Sequence, residues 1–197
     1  MGKYMKIYFD MDGVLAHFDA VRPDGKDLNH PSEHLSPEKR AAKKAFWQEI
    51  EKQPNFWRDI PVMVNAEFLL ITAFDMGEIF VLSKTPGSQN FLGGHKYVDF
   101  IADEKRKWIQ KHLNKFFDKE HVIICDGPKG ELIHPNNQDI LIDDRQENIN
   151  EWELHGGVGV LFTNAVDTAK RLVLLKSHTN FEPSNCVASS NQSTTTN

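Results

Sequence analysis

The sequence predicts an α/β protein: a parallel sheet doubly wound by helices, with a small helical cap inserted after the first strand. Three observations predict it. Apolar runs of strand length stand at residues 5–9, 79–82, 122–125, 140–142 and 158–162, and segments of helical spacing separate them. An alternation of that kind packs as a parallel sheet with helices on both faces. The first and fourth runs each end in a pair of acids, Asp10 and Asp12 after Phe9, Asp143 and Asp144 after Ile142. Ligands of such sheets bind outside the carboxyl ends of the strands.

The elements follow in chain order. The first run leads into Asp10-Met11-Asp12-Gly13, where Gly13 frees the backbone to turn away tightly. Within the insertion, Ser36-Pro37-Glu38 supplies an N-cap, a proline at the first helical position and an early acid, and Ala41, Ala42, Ala45, Phe46 and Ile50 continue at helical spacing. Further helices are predicted over residues 65–76, closed by Gly77, over 103–113, over 146–154, stopping at Gly156-Gly157, and over 166–176. Gly93-Gly94 and Gly156-Gly157 read as turns, since neither pair follows a strand and opens a helix. From residue 177 the chain is rich in Ser, Thr, Asn and Gln, a composition that does not offset the entropy of ordering it. The expected division is a catalytic core of residues 1–17 and 62–176, a cap of 18–61 and a disordered tail of 177–197.

A chain of 197 residues with 40% hydrophobic content can bury one good core with a small accessory unit. Its formal net charge of -5 is spread over mixed segments, so no basic stripe of the kind that tracks a nucleic-acid backbone is evident and stable nucleic-acid binding is not expected. Residues 1–6 lead directly into a strand, and no apolar stretch is long enough to cross a bilayer. The expectation is a cytoplasmic protein with no membrane partner, monomer or homodimer. Cys125 ends an apolar run and Cys186 lies in the polar tail, which offers neither a disulfide framework nor a thiolate metal site. His17, His95, His121, His134 and His155 lack metal-ligand spacing and read as surface or loop residues.

A buried strand that ends in paired acids is costly unless something cationic sits there. If the two strand ends lie side by side, four carboxylates converge on a space that a divalent cation and nearby lysines would neutralise. A magnesium-dependent phosphoryl-transfer site is therefore the first hypothesis. The spacing of Asp10 and Asp12 supports it, because residues two apart in an extended segment face the same side and both can reach one phosphoryl group.

Asp10-Met11-Asp12-Gly13-Val14 resembles the first motif of the haloacid dehalogenase-like hydrolase superfamily, and Leu141-Ile142-Asp143-Asp144-Arg145 resembles its fourth. More narrowly, the stretch through Ala16, His17 and Phe18, the segment Asn55-Phe56-Trp57-Arg58-Asp59-Ile60-Pro61, and residues 141–145 are similar to the 5'(3')-deoxyribonucleotidase family. The resemblance spans about residues 5–165 and implies a Rossmann-like core. It implies that Asp10 attacks phosphorus to form an aspartyl-phosphate while Asp12 protonates the departing sugar oxygen and later activates water. It further implies magnesium held by the Asp10 carboxylate, the Asp12 main-chain carbonyl and the second acid pair, with Asp144 as direct ligand and Asp143 as a neighbour that holds a water or a lysine.

Two assignments stay open between candidates. The hydroxyl expected after the second strand falls to Ser83, which comes first after the apolar run, or to Thr85, which aligns on Pro86; Lys84 stands where the family usually has threonine. The lysine that compensates the acids falls to Lys129, the preferred choice, or to Lys105, whose alternative is a solvated helix face. Phe18, Phe56 and Trp57 are candidates to line a nucleobase pocket, while Trp47, Trp108 and Trp152 are assigned to the core. The expected substrate is a small nucleotide, most of all a deoxyribonucleoside monophosphate. The rivals are another phosphorylated metabolite, a 3'-phosphate at a nucleic-acid end, and an inactive binding module of the same fold.

Overall fold

The computed structural model describes residues 5–21 and 36–178. Five strands, β1 (Lys6–Phe9), β2 (Glu78–Lys84), β3 (Val122–Cys125), β4 (Ile140–Asp143) and β5 (Val158–Leu161), form one sheet in the order β3-β2-β1-β4-β5. Every pairing in it is parallel. The chain builds outward from β1 to β2 and β3, then returns to the other side for β4 and β5. The order therefore reverses at β1 and β4, whose carboxyl ends frame the crevice where ligands of such sheets bind.

Alternation along β1 explains the two-sided core. Ile7 and Phe9 face a large cluster with Leu69, Leu70, Ile101, Trp108 and Leu172, whereas Tyr8 faces a second one with Leu82, Leu141 and Trp152. Helices α3 (Ala66–Phe74), α4 (Gly94–His112) and α7 (Ala165–His178) cover the first face, and α6 (Gln146–Leu154) covers the second together with the short α5 (Lys129–Ile133). Trp108 Nε1 donates to the Ile60 carbonyl at 2.7 Å, fastening the segment before the second strand to α4.

The expected elements fall close to the observed ones, with four corrections. Helix α4 starts nine residues before the predicted 103, with Gly93 as its N-cap, so Gly93-Gly94 opens a helix after all. The sequence hid this start because no side chain caps it. Helix α1 (Pro37–Glu51) is capped as expected, Ser36 Oγ accepting from the Lys39 N–H at 3.4 Å. Its buried face, however, is Phe46 and Ile50, while Ala41, Ala42 and Ala45 face solvent. Two short helices, α2 (Phe56–Asp59) and α5, went unread because four or five residues are too few to display a period. Finally, α7 continues through residue 178. Most of the expected tail, with Cys186 in it, and residues 22–35 of the insertion lie outside the described residues. None of the described helices is long and apolar enough to cross a membrane.

Candidate active site

The register of β1 on β4 sets Phe9 opposite Ile142, and the Asp10 N–H donates to the Ile142 carbonyl at 2.9 Å. The two acid pairs thus leave the sheet at the same level. One carboxylate oxygen each from Asp10, Asp143 and Asp144 lies within 4.8 Å of the others. Gly13 makes the approach feasible. Its φ is +84°, and a Cβ there would fall on the Asp144 carboxylate, so both the turn and the neighbour demand glycine.

Two fully buried lysines enter this cluster. Lys129, the first residue of α5, donates to Asp10 Oδ1 and to Asp143 Oδ2, each at 2.6 Å. Helix α5 holds it there because the Glu151 carboxylate accepts from the Gly130 N–H at 3.0 Å and from the Glu131 N–H at 3.2 Å, capping that helix from α6. Lys105 comes from the middle of α4 and donates to Asp12 Oδ2 at 2.6 Å, the Lys84 carbonyl at 2.8 Å and Ser83 Oγ at 3.0 Å. The solvated-face alternative for Lys105 is thereby corrected. It stands on the buried stripe Ile101, Lys105, Trp108 and Ile109, and a lysine at an apolar-stripe position was the signal available in the sequence.

Electrostatics divide the acids. Burial works to raise Asp143, but the Lys129 charge, that lysine's hydrogen bond, two donations from Asn148 at 2.9 and 3.0 Å and the Arg145 N–H hold it below the usual carboxylate value. Burial pushes Asp10 up, opposed by Lys129. Lys129, which burial alone would lower, is held above the usual lysine range by Asp10 and Asp143. Asp144 has no ion pair among the described residues, and burial followed by the charges of Asp10, Asp143 and Asp12 pushes it up to about 8. With all four carboxylates ionised against the two ammonium groups, two negative charges are left over, which after burial is what raises Asp144, and Asp12 Oδ1 is buried without a hydrogen-bond partner. An all-oxygen donor set with that surplus fits a hard divalent cation.

The acids open into a cavity of about 450 Å3. Thr85 and Lys84 are on its wall, whereas Ser83 is buried away from it and accepts from the Lys105 ammonium. Thr85 is fixed by its N–H donating to the Cys125 carbonyl at 2.8 Å, and the Lys84 ammonium by Asn148 Oδ1 at 2.9 Å. Phe18 lines the cavity. Phe56 and Trp57 do not: both are buried behind Phe18, and the Trp57 ring lies 5.4 Å from the Lys105 ammonium. Trp108 and Trp152 are core residues, but Trp47, also assigned there, is half-buried and lines the cavity with Phe46. Sequence reasoning missed Asn148, Arg145 and the α1 side chains Arg40, Lys43 and Lys44, all of them on the cavity wall. The three cations at spacings of three and one residue, ahead of Trp47, were the overlooked signal.

No family model matches the sequence, and no curated protein matches it. Solved structures do resemble it. A haloacid dehalogenase-like family hydrolase from Streptococcus pneumoniae matches at 14% identity over 85% of this chain and 90% of its own, with a TM-score of 0.51. A haloacid dehalogenase family hydrolase from Deinococcus radiodurans, with bound phosphate and sodium, matches at 12% identity over 86% of this chain and 88% of its own, with a TM-score of 0.50. The chain therefore has the haloacid dehalogenase-like, Rossmann-type α/β fold.

Proposed function

We propose that this protein is a magnesium-dependent phosphatase that hydrolyses nucleotide-sized phosphate monoesters, deoxyribonucleoside monophosphates foremost, through an aspartyl-phosphate on Asp10. The observation that carries the reading is the charge surplus at the strand ends: four convergent carboxylates, two buried lysines committed to three of them, and Asp144 left over. Asp10, Asp144 and the Asp12 carbonyl would hold the magnesium, which would neutralise charge on the phosphoryl oxygens. Asp10 forms the bond to phosphorus as the ester oxygen leaves, and Asp12, oriented by Lys105, gives that oxygen its proton. Asp12 then takes a proton from the water that hydrolyses the acyl phosphate. Thr85 and the ammonium of Lys84 lie where they can bind phosphoryl oxygens. A cap formed by residues 18–61 would exclude water and select the leaving group, and Phe18 with Trp47 offers aromatic faces to a base.

The test is phosphate release from a panel of 5'- and 3'-nucleoside monophosphates and sugar phosphates, with magnesium and after chelation. Selective, magnesium-dependent release from deoxynucleotides is expected, with Asp10→Asn below about a tenth of the wild-type rate. Equal rates on sugar phosphates would make the enzyme a general phosphatase. Release by Asp10→Asn above that level would overturn the nucleophile, and a flat panel would favour the inactive binding module.

A further inference from the structure

The rim of the cavity carries more positive charge than one phosphate monoester uses. Arg40, Lys43 and Lys44 reach it from α1, and Lys84 and Arg145 from the core; apart from the strand-end acids, Asp19 is the acid on the same wall. A scissile phosphate would meet its compensation deeper in the site, at the cation site and the lysines bound to the strand-end acids. Surface cations on a helix normally find acids one turn away, but the acids of α1 are committed elsewhere, Glu38 to a hydrogen bond from Ser36 at the helix start. Glu49 pairs with Lys52 at 3.2 Å, and the Glu51 carboxylate accepts from the Leu92 and Gly93 N–H groups at 2.7 Å each. Across the cavity mouth Lys43 faces Arg145 as well as Glu147, and burial followed by the Arg145 charge lowers it. The cations thus flank the cavity mouth against their mutual repulsion, and Arg145 Nε, without a hydrogen-bond partner, has only the half-exposed Glu147 carboxylate near it, at 3.7 Å.

We propose that Arg40, Lys43, Lys44 and Arg145 form a second anion subsite, and that the substrate is a small nucleotide bearing two separate phosphate groups, one at the strand-end acids and one at this rim. The proposal rests on the phosphatase reading and deepens it by naming the substrate class. A bounded cavity of about 450 Å3, within the usual range of small-molecule sites, favours a free bisphosphate over a polymer end. The three α1 cations suffice to hold one dianion at the mouth.

The experiment compares kcat/KM for a nucleoside 3',5'-bisphosphate, the matching 5'- and 3'-monophosphates and an oligonucleotide with a 3'-phosphate. It uses the full chain and the variant Arg40→Gln/Lys43→Gln/Lys44→Gln, whose glutamines retain helix propensity and whose thermal melt by circular dichroism reports its fold. The wild type should prefer the bisphosphate by about tenfold, or 1.4 kcal/mol. The variant should lose that preference to within about twofold, as should the wild type in high salt, because the rim is screened over a Debye length of about 8–10 Å. An equal preference in both proteins, none in the wild type, or an oligonucleotide turned over faster than the bisphosphate would each overturn the proposal. Should no substrate release phosphate, the phosphatase reading fails and calorimetric binding of the bisphosphate decides the subsite: binding lost in the variant supports it, and no binding by the wild type overturns it.

Discussion

Replacing Lys129 by methionine should be the most damaging single change to stability in the site. The ammonium is shared by Asp10 and Asp143 at 2.6 Å each, and Lys129 and Asp143 are fully buried. Methionine fills much the same volume but leaves two carboxylates without their cation, Asp143 sealed in the interior and Asp10 at the cavity wall. Removing one partner of a buried ion pair costs about 3–5 kcal/mol, a large fraction of the roughly 5–15 kcal/mol that holds a domain together. With a urea m-value of about 2 kcal/mol/M, the unfolding midpoint followed by tryptophan fluorescence in EDTA should fall by about 2 M at unchanged m. Adding Asp143→Asn to Lys129→Met should recover part of the loss, since one of the stranded charges is then gone. A midpoint shift below about 0.5 M would equal the worth of an exposed pair and would refute the buried bridge as described.

Two further outcomes can be checked directly. Gly13→Ala combines a left-handed backbone, worth about 1–2 kcal/mol against an L residue, with a methyl group placed on the Asp144 carboxylate. Phosphate release should drop at least about tenfold, and a variant as active as wild type would show that Asp144 need not stay where it is. At the sheet edge, the hydrogen bond to Asp118, with help from Glu78, raises the pKa of His121 above its usual 6.5. A raised folded value means that the stabilisation is complete below pH 6.5 and disappears as pH rises through the higher folded value. The melting temperature of the wild type should therefore decline more than that of His121→Gln between pH 6 and 8, and parallel curves would exclude the linkage.

Much of the frame was legible because its signals are local. The apolar runs set all five strands, and α6 spans the predicted 146–154 because Glu147 in its first turn and Gly156-Gly157 beyond its end bracket it. Asp10, Asp12, Asp143 and Asp144 could be picked out because paired acids at the end of an apolar strand contradict the local environment. The helix starting at Gly94 carried no capping side chain and was read short. Of the α1 residues read at helical spacing, Phe46 and Ile50 are buried as that spacing implies, while the three alanines face solvent.

Taken alone, the sequence determined the kind of sheet, the positions of its strands and the acids at their ends, since hydrophobic period and chain punctuation act over a few residues. Only the tertiary structure decided which side chains those acids meet. Lys105 is 93 residues from Asp12 and Lys129 is 119 from Asp10. Whether a lysine is solvated or sealed against a carboxylate depends on what the fold packs over it, and no local window contains that partner. The same holds for Trp57, withdrawn behind Phe18, and for Arg40, Lys43 and Lys44, which become a rim only when α1 lies across the mouth of the cavity.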